Sequence, residues 1–198
     1  MPDGPLKETT TACHPSIQDA SITKQCAFAN PDCLFRDSRL DSTANVYSLC
    51  ALLGDSACLK SGLAELPGAR VIDLQGLAMV PLSEALLREI QRQWRGSEGS
   101  TRVEGVFEFL TPPVESWVRA LSKGSTLAYL ETEYFGGEGF ERSVVFRDSH
   151  VLLGPLDGAG AINGALRALG VAAKPGQEEF DFVGLGRHRS LEEWLSEA

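Results

Sequence analysis

Two acidic residues, Glu131 and Glu133, lie two positions apart in a segment that is rich in β-forming residues. Because side chains alternate across a strand, this spacing places both carboxylates on one face. A pair of carboxylates can transfer protons or bind a cation, and His150 on an adjoining strand could join them. The sequence specifies no third and fourth ligand, so the pattern is more typical of a solvated acidic face. We therefore expect neither a metal nor a cofactor.

A glycine-rich segment, FGGEGF, follows from Phe135 to Phe140. No Gly-Lys-Ser/Thr follows it, so it is not a phosphate-binding loop of the P-loop type. Its glycines permit positive φ angles, which predicts a hairpin loop with a mobile middle and aromatic residues at its base. Exposed aromatic residues are typical anchors of protein interfaces. We predict a binding surface that contains Glu131, Glu133, Tyr134, Phe135, Glu138 and Phe140.

A compact basic cluster, Arg187-His188-Arg189, stands out in an acidic chain. It lies just before the predicted last helix, a position that favours anions, and arginine suits bidentate contacts to carboxylate or phosphate. We include Arg187, His188 and Arg189 among the candidate binding residues. The alternative is a set of internal ion pairs with Glu178, Glu179 or Asp181.

Three glycines, Gly158, Gly160 and Gly164, follow a predicted strand and begin a predicted helix. The dinucleotide-binding pattern has its third glycine one position earlier, and it needs a full βαβ unit with a longer helix. A flexible connection between strand and helix is the simpler interpretation, and nucleotide binding is the alternative. The sequence contains no G-x-S-x-G motif, and its three histidines offer few candidate bases for hydrolysis.

The composition excludes several classes of function. The 198 residues carry a formal net charge of −9, which argues against binding the phosphate backbone of nucleic acids. No apolar run approaches the ~20 residues that span a membrane, and the start lacks the features of a signal peptide. The five cysteines form no C-x-x-C pair, which argues against a zinc site, and the lack of a visible secretion signal favours reduced thiols. We expect an acidic, soluble, cytoplasmic protein.

The strongest secondary-structure signal lies between Leu127 and Leu156, where three strand-like runs are separated by turn residues. Asp148-Ser149 is the second turn, which sets Arg147 opposite His150 and Phe146 opposite Val151. Side-chain alternation predicts an antiparallel meander with one wet face. Its core face would contain Val144, Phe146, Val151 and Leu153.

Helices and further strands are predicted around this meander. Residues 70–82 form a strand with a turn at Gln75-Gly76, and residues 180–183 form a weak last strand. Helix starts are predicted at Ser83, Thr111 and Ser190, and another helix at residues 162–169. Trp117 and Trp194 lie on apolar helix faces and should be buried. The fold class is α+β, with a largely antiparallel sheet, a central meander and flanking helices.

Three segments follow from this pattern. Residues 1–43 are polar and lack periodicity, so they are predicted to be a flexible tail. Residues 44–66 are predicted to be a helical hairpin, because apolar residues recur at i, i+3, i+4 and i+7, at Val46, Leu49, Cys50 and Leu53. Residues 67–198 form the α+β domain.

Three strings in the last 130 or so residues carry a resemblance: LAYLETEYFGGEGFERSVVF, AINGALRALGV and FDFVGLGRHRSLEEW. They resemble small uncharacterised bacterial proteins, a group that includes immunity-type and other partner-binding modules. The resemblance implies a non-enzymatic protein-binding module, an immunity-type inhibitor of a basic protein, with a protein partner. The alternative is a small enzyme or nucleotide-binding protein that uses the Gly158–Gly164 connection and Arg187-His188-Arg189.

Overall fold

The described part of the chain is built on one six-stranded antiparallel sheet with the strand order β2-β3-β1-β4-β5-β6. A computed structural model describes residues 46–96, 103 and 105–197, so the predicted tail at residues 1–43 lies outside the described residues. The strands are β1 (Val46–Gly54), β2 (Ile72–Asp73), β3 (Ala78–Pro81), β4 (Thr126–Phe135), β5 (Glu138–Arg147) and β6 (His150–Asp157). The predicted α+β class with a largely antiparallel sheet is confirmed.

Helices cover both faces of the sheet. They are α1 (Ser56–Gly62), α2 (Glu84–Gln93), α3 (Pro112–Leu121), α4 (Ala161–Ala168), α5 (Glu179–Val183) and α6 (Leu191–Glu197), with a 3-10 turn at Leu185–Arg187. Helices α1, α2 and α3 pack on what we call face A, and Trp117 is buried there. Helices α4, α5 and α6 pack on face B, where Trp194 is buried. Burial of both tryptophans is confirmed.

The predicted wet face of the meander is wrong. Face B of the sheet is lined by Ala128, Leu130 and Val145, all fully buried under the second helical layer. These residues are apolar, as are their neighbours on face A, so the strands form nearly continuous apolar runs. Such runs are typical of strands buried on both sides rather than on one.

The predicted helical hairpin at residues 44–66 is also wrong in its first half. Val46–Gly54 is strand β1, which lies between β3 and β4 in the sheet. Residues 51–54 are all buried, and an apolar run of this length fits a two-sided strand as well as one turn of a buried helix. The second half is a helix, α1, capped by the side chain of Asp55. Because β1 lies within the sheet, residues 46–66 belong to the α+β domain.

The meander itself follows the predicted register at its second turn. Phe146 pairs with Val151 and Arg147 with His150. Asp148 and Ser149 have φ angles of 50° and 66°, as a two-residue turn with two left-handed residues requires. Register shifts in β6 then move Leu153 opposite Val145, onto face B rather than the predicted face A.

The first turn of the meander is shorter than predicted. Strand β4 ends at Phe135 and β5 begins at Glu138, so only Gly136 and Gly137 form the turn, with φ angles of 62° and 90°. Residues 138–140, which we predicted as loop, are part of a strand. The two positive φ angles explain why glycine occupies both turn positions.

The end of the chain differs from the predicted strand at residues 180–183. Glu179–Val183 is the short helix α5, whose Phe180 amide donates to the side-chain oxygen of Asn163 at 2.8 Å. Gly184 ends it in a left-handed conformation (φ 83°). The predicted cap at Ser83 is confirmed, because its hydroxyl accepts from the amide of Leu86. None of the helices in the described residues has the length and apolar character needed to cross a membrane.

Candidate binding surface

Glu131 is a buried anchor rather than an exposed acidic group. It lies on β4 with only 2 % of its surface exposed. Its carboxylate accepts hydrogen bonds from the amides of Glu108 (2.7 Å), Phe109 (2.7 Å) and Leu110 (3.2 Å). The hydroxyl of Tyr129 donates to it at 2.7 Å. Charge-assisted bonds of this number stabilise a buried carboxylate, so Glu131 fixes the loop before α3 against the sheet.

The thiol of Cys50 extends this buried network. Its sulfur lies 3.3 Å from the Tyr129 hydroxyl. Burial, followed by the negative charge of Glu131, raises the pKa of Cys50 above its usual range, and burial raises that of Tyr129. The thiol therefore stays protonated at neutral pH, which argues against a nucleophilic role.

Beyond Glu131, face A is open to solvent at the hairpin end of β1, β4 and β5. Phe135 pairs with Val46 on one side and Glu138 on the other, and Glu133 pairs with Ser48 and Phe140. Paired residues in an antiparallel sheet point to the same side. Phe135 is 66 % exposed and Val46 is 36 % exposed. We call this surface the open end of the sheet: Val46, Ser48, Glu133, Phe135, Glu138 and Phe140.

A cation of the protein itself lies at the border of this surface. The Arg142 guanidinium stacks over the Phe140 ring, 4.2 Å from its centroid. Arg142 pairs with Glu131 in the sheet register, and its Nε lies 3.5 Å from a carboxylate oxygen of Asp157. Aromatic rings flanked by carboxylates attract cations, so the open end is chemically suited to a positively charged ligand.

Glu108 joins this surface, although no pattern in the sequence predicts it. Partial burial, then the charges of Glu131 and Glu133, raise the pKa of the Glu108 carboxyl, and Arg142 opposes the shift. These interactions place Glu108 in the same electrostatic environment as the open end. The sequence held no signal for this position, because the placement of residues 108–110 depends on the distant Glu131 carboxylate.

Two other predicted members of the site lie elsewhere. Tyr134 is on face B, where its hydroxyl donates to Glu141 at 3.3 Å. Burial and the Glu141 carboxylate raise the pKa of Tyr134. His150 pairs with Arg147, five residues along β5 from the partner of Glu131, and its Nδ1 lies 2.7 Å from the carbonyl of Asp148. The structure therefore does not bring His150 to the two glutamates.

The basic cluster is engaged by helix α6. Arg187 lies 3.1 Å from Glu197 and stacks on Trp194, 4.9 Å from the ring centroid. The His188 Nε2 is 2.5 Å from Glu197, and the Arg189 amide donates to Glu193. These internal pairs use glutamates of α6 rather than the predicted Glu178, Glu179 or Asp181. Among these three, Glu179 pairs with Arg167 and Glu178 accepts from Asn163.

The cluster nevertheless lies near the open end of the sheet. The carbonyl of Arg189 accepts a hydrogen bond from the amide of Ser48 at 2.8 Å. Ser48 also pairs with Glu133 in β4. The two predicted groups of site residues therefore flank the same part of β1, on its opposite edges.

The glycine-rich connection before α4 already holds an acidic side chain. The amide of Gly160 donates to a carboxylate oxygen of Glu141 at 3.0 Å. The Ser143 hydroxyl donates to the carbonyl of Ala161 at 2.7 Å, which ties the start of α4 to β5. A carboxylate at this helix start occupies the position that a phosphate group would need.

Within the described residues, no group of three or more histidines, cysteines, aspartates and glutamates is placed to hold a metal ion. Comparisons of the chain with protein-family models, with curated proteins and with solved structures found no match.

Proposed function

We propose that this chain is a non-enzymatic protein-binding module that uses the open end of the sheet to bind a basic segment of another protein. The observation that carries the proposal is Phe135, an aromatic residue that is 66 % exposed beside the apolar Val46. The exposed carboxylates of Glu133 and Glu138 lie on the same face. An apolar centre with charged neighbours is the usual arrangement of a protein interface.

Energetic considerations favour a partner for this surface. Burying a phenylalanine side chain contributes about 1.5–3 kcal/mol relative to leaving it exposed. The acidic neighbours would attract a basic partner and orient its approach, which raises association rates more than affinity. The net charge of −9 acts in the same direction at longer range.

Binding is favoured over catalysis because the Glu131 carboxylate, one of the two candidate acid–base groups, is held by backbone amides inside the fold and is not open to a substrate. Glu131 is buried and accepts three backbone amides, whereas Glu133 is exposed. An inhibitor of a basic protein, of the immunity type, is the specific form of this proposal. The proposed setting is cytoplasmic, which the free thiols of Cys50 and Cys58 support.

The test uses the full chain and a fluorescein-labelled peptide of alternating glycine and arginine. In the variant Phe135→Ser with Glu138→Lys, we expect the affinity to fall at least about tenfold, or about 1.4 kcal/mol, measured by fluorescence anisotropy. The fold should remain intact, because both changes lie on an exposed surface.

A matched control removes one exposed apolar residue and reverses one charge elsewhere. Leu152 is 47 % exposed on the edge strand β6, and Glu192 is exposed on α6. The variant Leu152→Ser with Glu192→Lys should bind the peptide nearly as well as the parent chain. Equal losses in both double variants would mean that net charge alone holds the peptide, and the proposal would be wrong.

A further inference from the structure

We propose that, in the free protein, Arg142 occupies a cation-binding site at the open end, on the ring of Phe140. We further propose that the partner displaces Arg142 from this ring with an arginine side chain of its own. This inference rests on the proposed function, and it specifies the chemical group that the partner contributes. In the free protein, Arg142 stacks on Phe140 with its guanidinium carbon 4.2 Å from the ring centroid. It faces Glu131 across the strand pair and lies beside Asp157.

A second arginine on the same face shows how a fully engaged guanidinium differs. Arg119 stacks on Phe146 at 5.1 Å, and its Nε donates to Glu115 at 2.8 Å. Its Nη1 donates to the carbonyl of Ser149 at 2.7 Å. Arg119 therefore combines ring stacking with hydrogen bonds to a buried carboxylate and to the backbone, which is a structural arrangement.

Arg142 is held less completely. Its Nε is buried yet has no hydrogen-bond partner among the described residues, and its contact with Asp157 at 3.5 Å is an ion pair without hydrogen-bond geometry. The Asp157 side chain is itself 56 % exposed, so solvent weakens this pair. A buried donor without an acceptor is unfavourable, and a rearrangement that satisfies it releases that free energy. Arg142 is therefore displaceable, whereas Arg119 is not.

The geometry points to arginine rather than lysine in the partner. A planar guanidinium stacks on an aromatic face and donates two parallel hydrogen bonds to a carboxylate, which an ammonium group cannot do. The open end offers both groups: the Phe140 ring for stacking, and the carboxylates of Glu108 and Glu133, which are close enough to interact electrostatically with each other. Arg142 already makes the stacked contact, so an incoming guanidinium must compete with it. Internal competition lowers the apparent affinity by the fraction of molecules in which the site is blocked.

The test compares the full parent chain with Arg142→Gln and with Arg147→Gln, using the same glycine–arginine peptide. Arg147 is exposed on the same strand, so its replacement removes an equal charge far from the open end. We expect Arg142→Gln to bind at least about threefold more tightly than the parent, as removal of a cation–π competitor implies. Arg147→Gln should change the affinity by at most about twofold, because salt screens distant charges.

Two further peptides define the chemistry. A lysine peptide should gain less from Arg142→Gln than the arginine peptide does. A peptide with citrulline, the neutral isostere of arginine, should bind neither protein. Equal affinities of Arg142→Gln and Arg147→Gln, or weaker binding by the former, would overturn the inference while leaving the proposed function intact. Absence of arginine-peptide binding by the parent and by Arg142→Gln would overturn both.

A measurement on the parent chain decides the matter if Arg142→Gln does not fold. In ¹⁵N-labelled protein, the side-chain Nε–H signal of Arg142, assigned with Arg142→Lys, should shift as the arginine peptide is added. It should stay unchanged with the citrulline peptide. Peptide binding without movement of that signal would show that Arg142 keeps its place and that the inference is wrong.

Discussion

Face A of the sheet has two parts that use the same three strands in opposite ways. Under the helices, Leu52, Tyr129 and Val144 pair across β1, β4 and β5, and all three are fully buried. Four residues further along β4, the exposed Glu133 pairs with Ser48 and Phe140, which are both partly exposed. The strands continue without interruption, so the difference comes from the layer above them. Among the residues that the structure describes, the covering layer ends where Glu131 holds the loop at residues 108–110.

The largest contrast between the two parts should appear when each loses an aromatic side chain. Trp117 lies on α3 with 3 % of its surface exposed, and Phe135 lies at the open end. Trp117→Ala should lower the free energy of unfolding by about 3–5 kcal/mol, because it removes buried apolar surface and leaves a cavity. Phe135→Ala should change it by no more than about 0.5 kcal/mol. Urea unfolding of both variants measures the difference.

A large loss of stability in Phe135→Ala would contradict this comparison. It would mean that the open end is covered in the full chain, and Phe135 would then belong to a core. An unchanged unfolding curve for Trp117→Ala would show instead that α3 does not pack on the sheet.

The next largest effect is expected from a substitution at Glu131, which lies at the border between the two parts. Glu131→Gln replaces an acceptor-only carboxylate with an amide that presents donors to the backbone amides of residues 108–110. Loss of charge-assisted hydrogen bonds in a buried site should cost about 2–3 kcal/mol. Glu133→Gln, two residues along the same strand and exposed, is the matched control and should cost less than about 0.5 kcal/mol.

Hydrogen exchange can show where that stability is lost. Glu131→Gln should accelerate exchange of the amides of Glu108 and Phe109 more than that of amides in β6. Equal stability of Glu131→Gln and Glu133→Gln would mean that the loop is held by its apolar contacts and that Glu131 is not the anchor.

The contrast also shows which features the sequence could predict. The antiparallel pairing of β4, β5 and β6 and the Asp148-Ser149 turn depend on strand propensity and turn chemistry, and both predictions are confirmed. The alternation of side chains did not predict that both faces of these strands are buried. The boundary of the covering layer depends on contacts between Glu131 and residues more than twenty positions away, which no local pattern encodes. For the same reason Glu131 looked like an exposed acid, and Glu108 was not identified.

The prediction of a helix in place of strand β1 was wrong for a different reason. Its apolar positions fit a helix at i, i+3, i+4 and i+7, yet the segment is a strand within the sheet, and its second half, residues 51–54, is buried on both faces. Periodicity distinguishes the two structures only when one side is polar. The α5 segment shows the converse, since Phe180 and Phe182 alternate with acids but form a single helical turn held by Asn163.

A smaller effect should follow from adding a methyl group at Gly139, in the β4–β5 hairpin that supports the open end. A Cβ added at Gly139 would lie 1.9 Å from the carbonyl oxygen of Glu133, so the backbone of β4 or β5 must move. Gly139→Ala should therefore cost about 1–3 kcal/mol, the range for overpacking that shifts backbone. It should also weaken binding of the glycine–arginine peptide, because Glu133 and Phe140 would be displaced.

Gly164→Ala is the control for the change of residue type. It lies in helix α4, and its nearest neighbour would be a terminal methyl carbon of Leu156 at 3.0 Å, which can rotate away. In a helix interior alanine is favoured over glycine by up to about 1 kcal/mol, so this variant should be neutral or more stable. A Gly139→Ala chain with parental stability and parental peptide binding would show that the hairpin can adjust without disturbing the open end.

The smallest expected effect tests whether the open end is organised for binding at some expense of stability. Burial and the charges of Glu131 and Glu133 raise the pKa of Glu108 in the folded protein above its unfolded value of about 4.3. Ionised Glu108 therefore destabilises the fold at neutral pH, and this destabilisation is relieved as the pH falls through the folded pKa toward the unfolded one. Because the side chain is largely exposed, solvent limits the effect, and Glu108→Gln should raise the melting temperature at pH 7 by only about 1–2 °C. The difference in melting temperature should vanish near pH 4, whereas Glu192→Gln should show no such trend.

Glu108→Gln should also weaken binding of the arginine peptide at pH 7, since it removes a carboxylate beside Arg142. If Glu108→Gln instead lowered the melting temperature at pH 7 and left peptide binding unchanged, Glu108 would be an ordinary stabilising acid of the covered part, and the border would lie further toward Phe135.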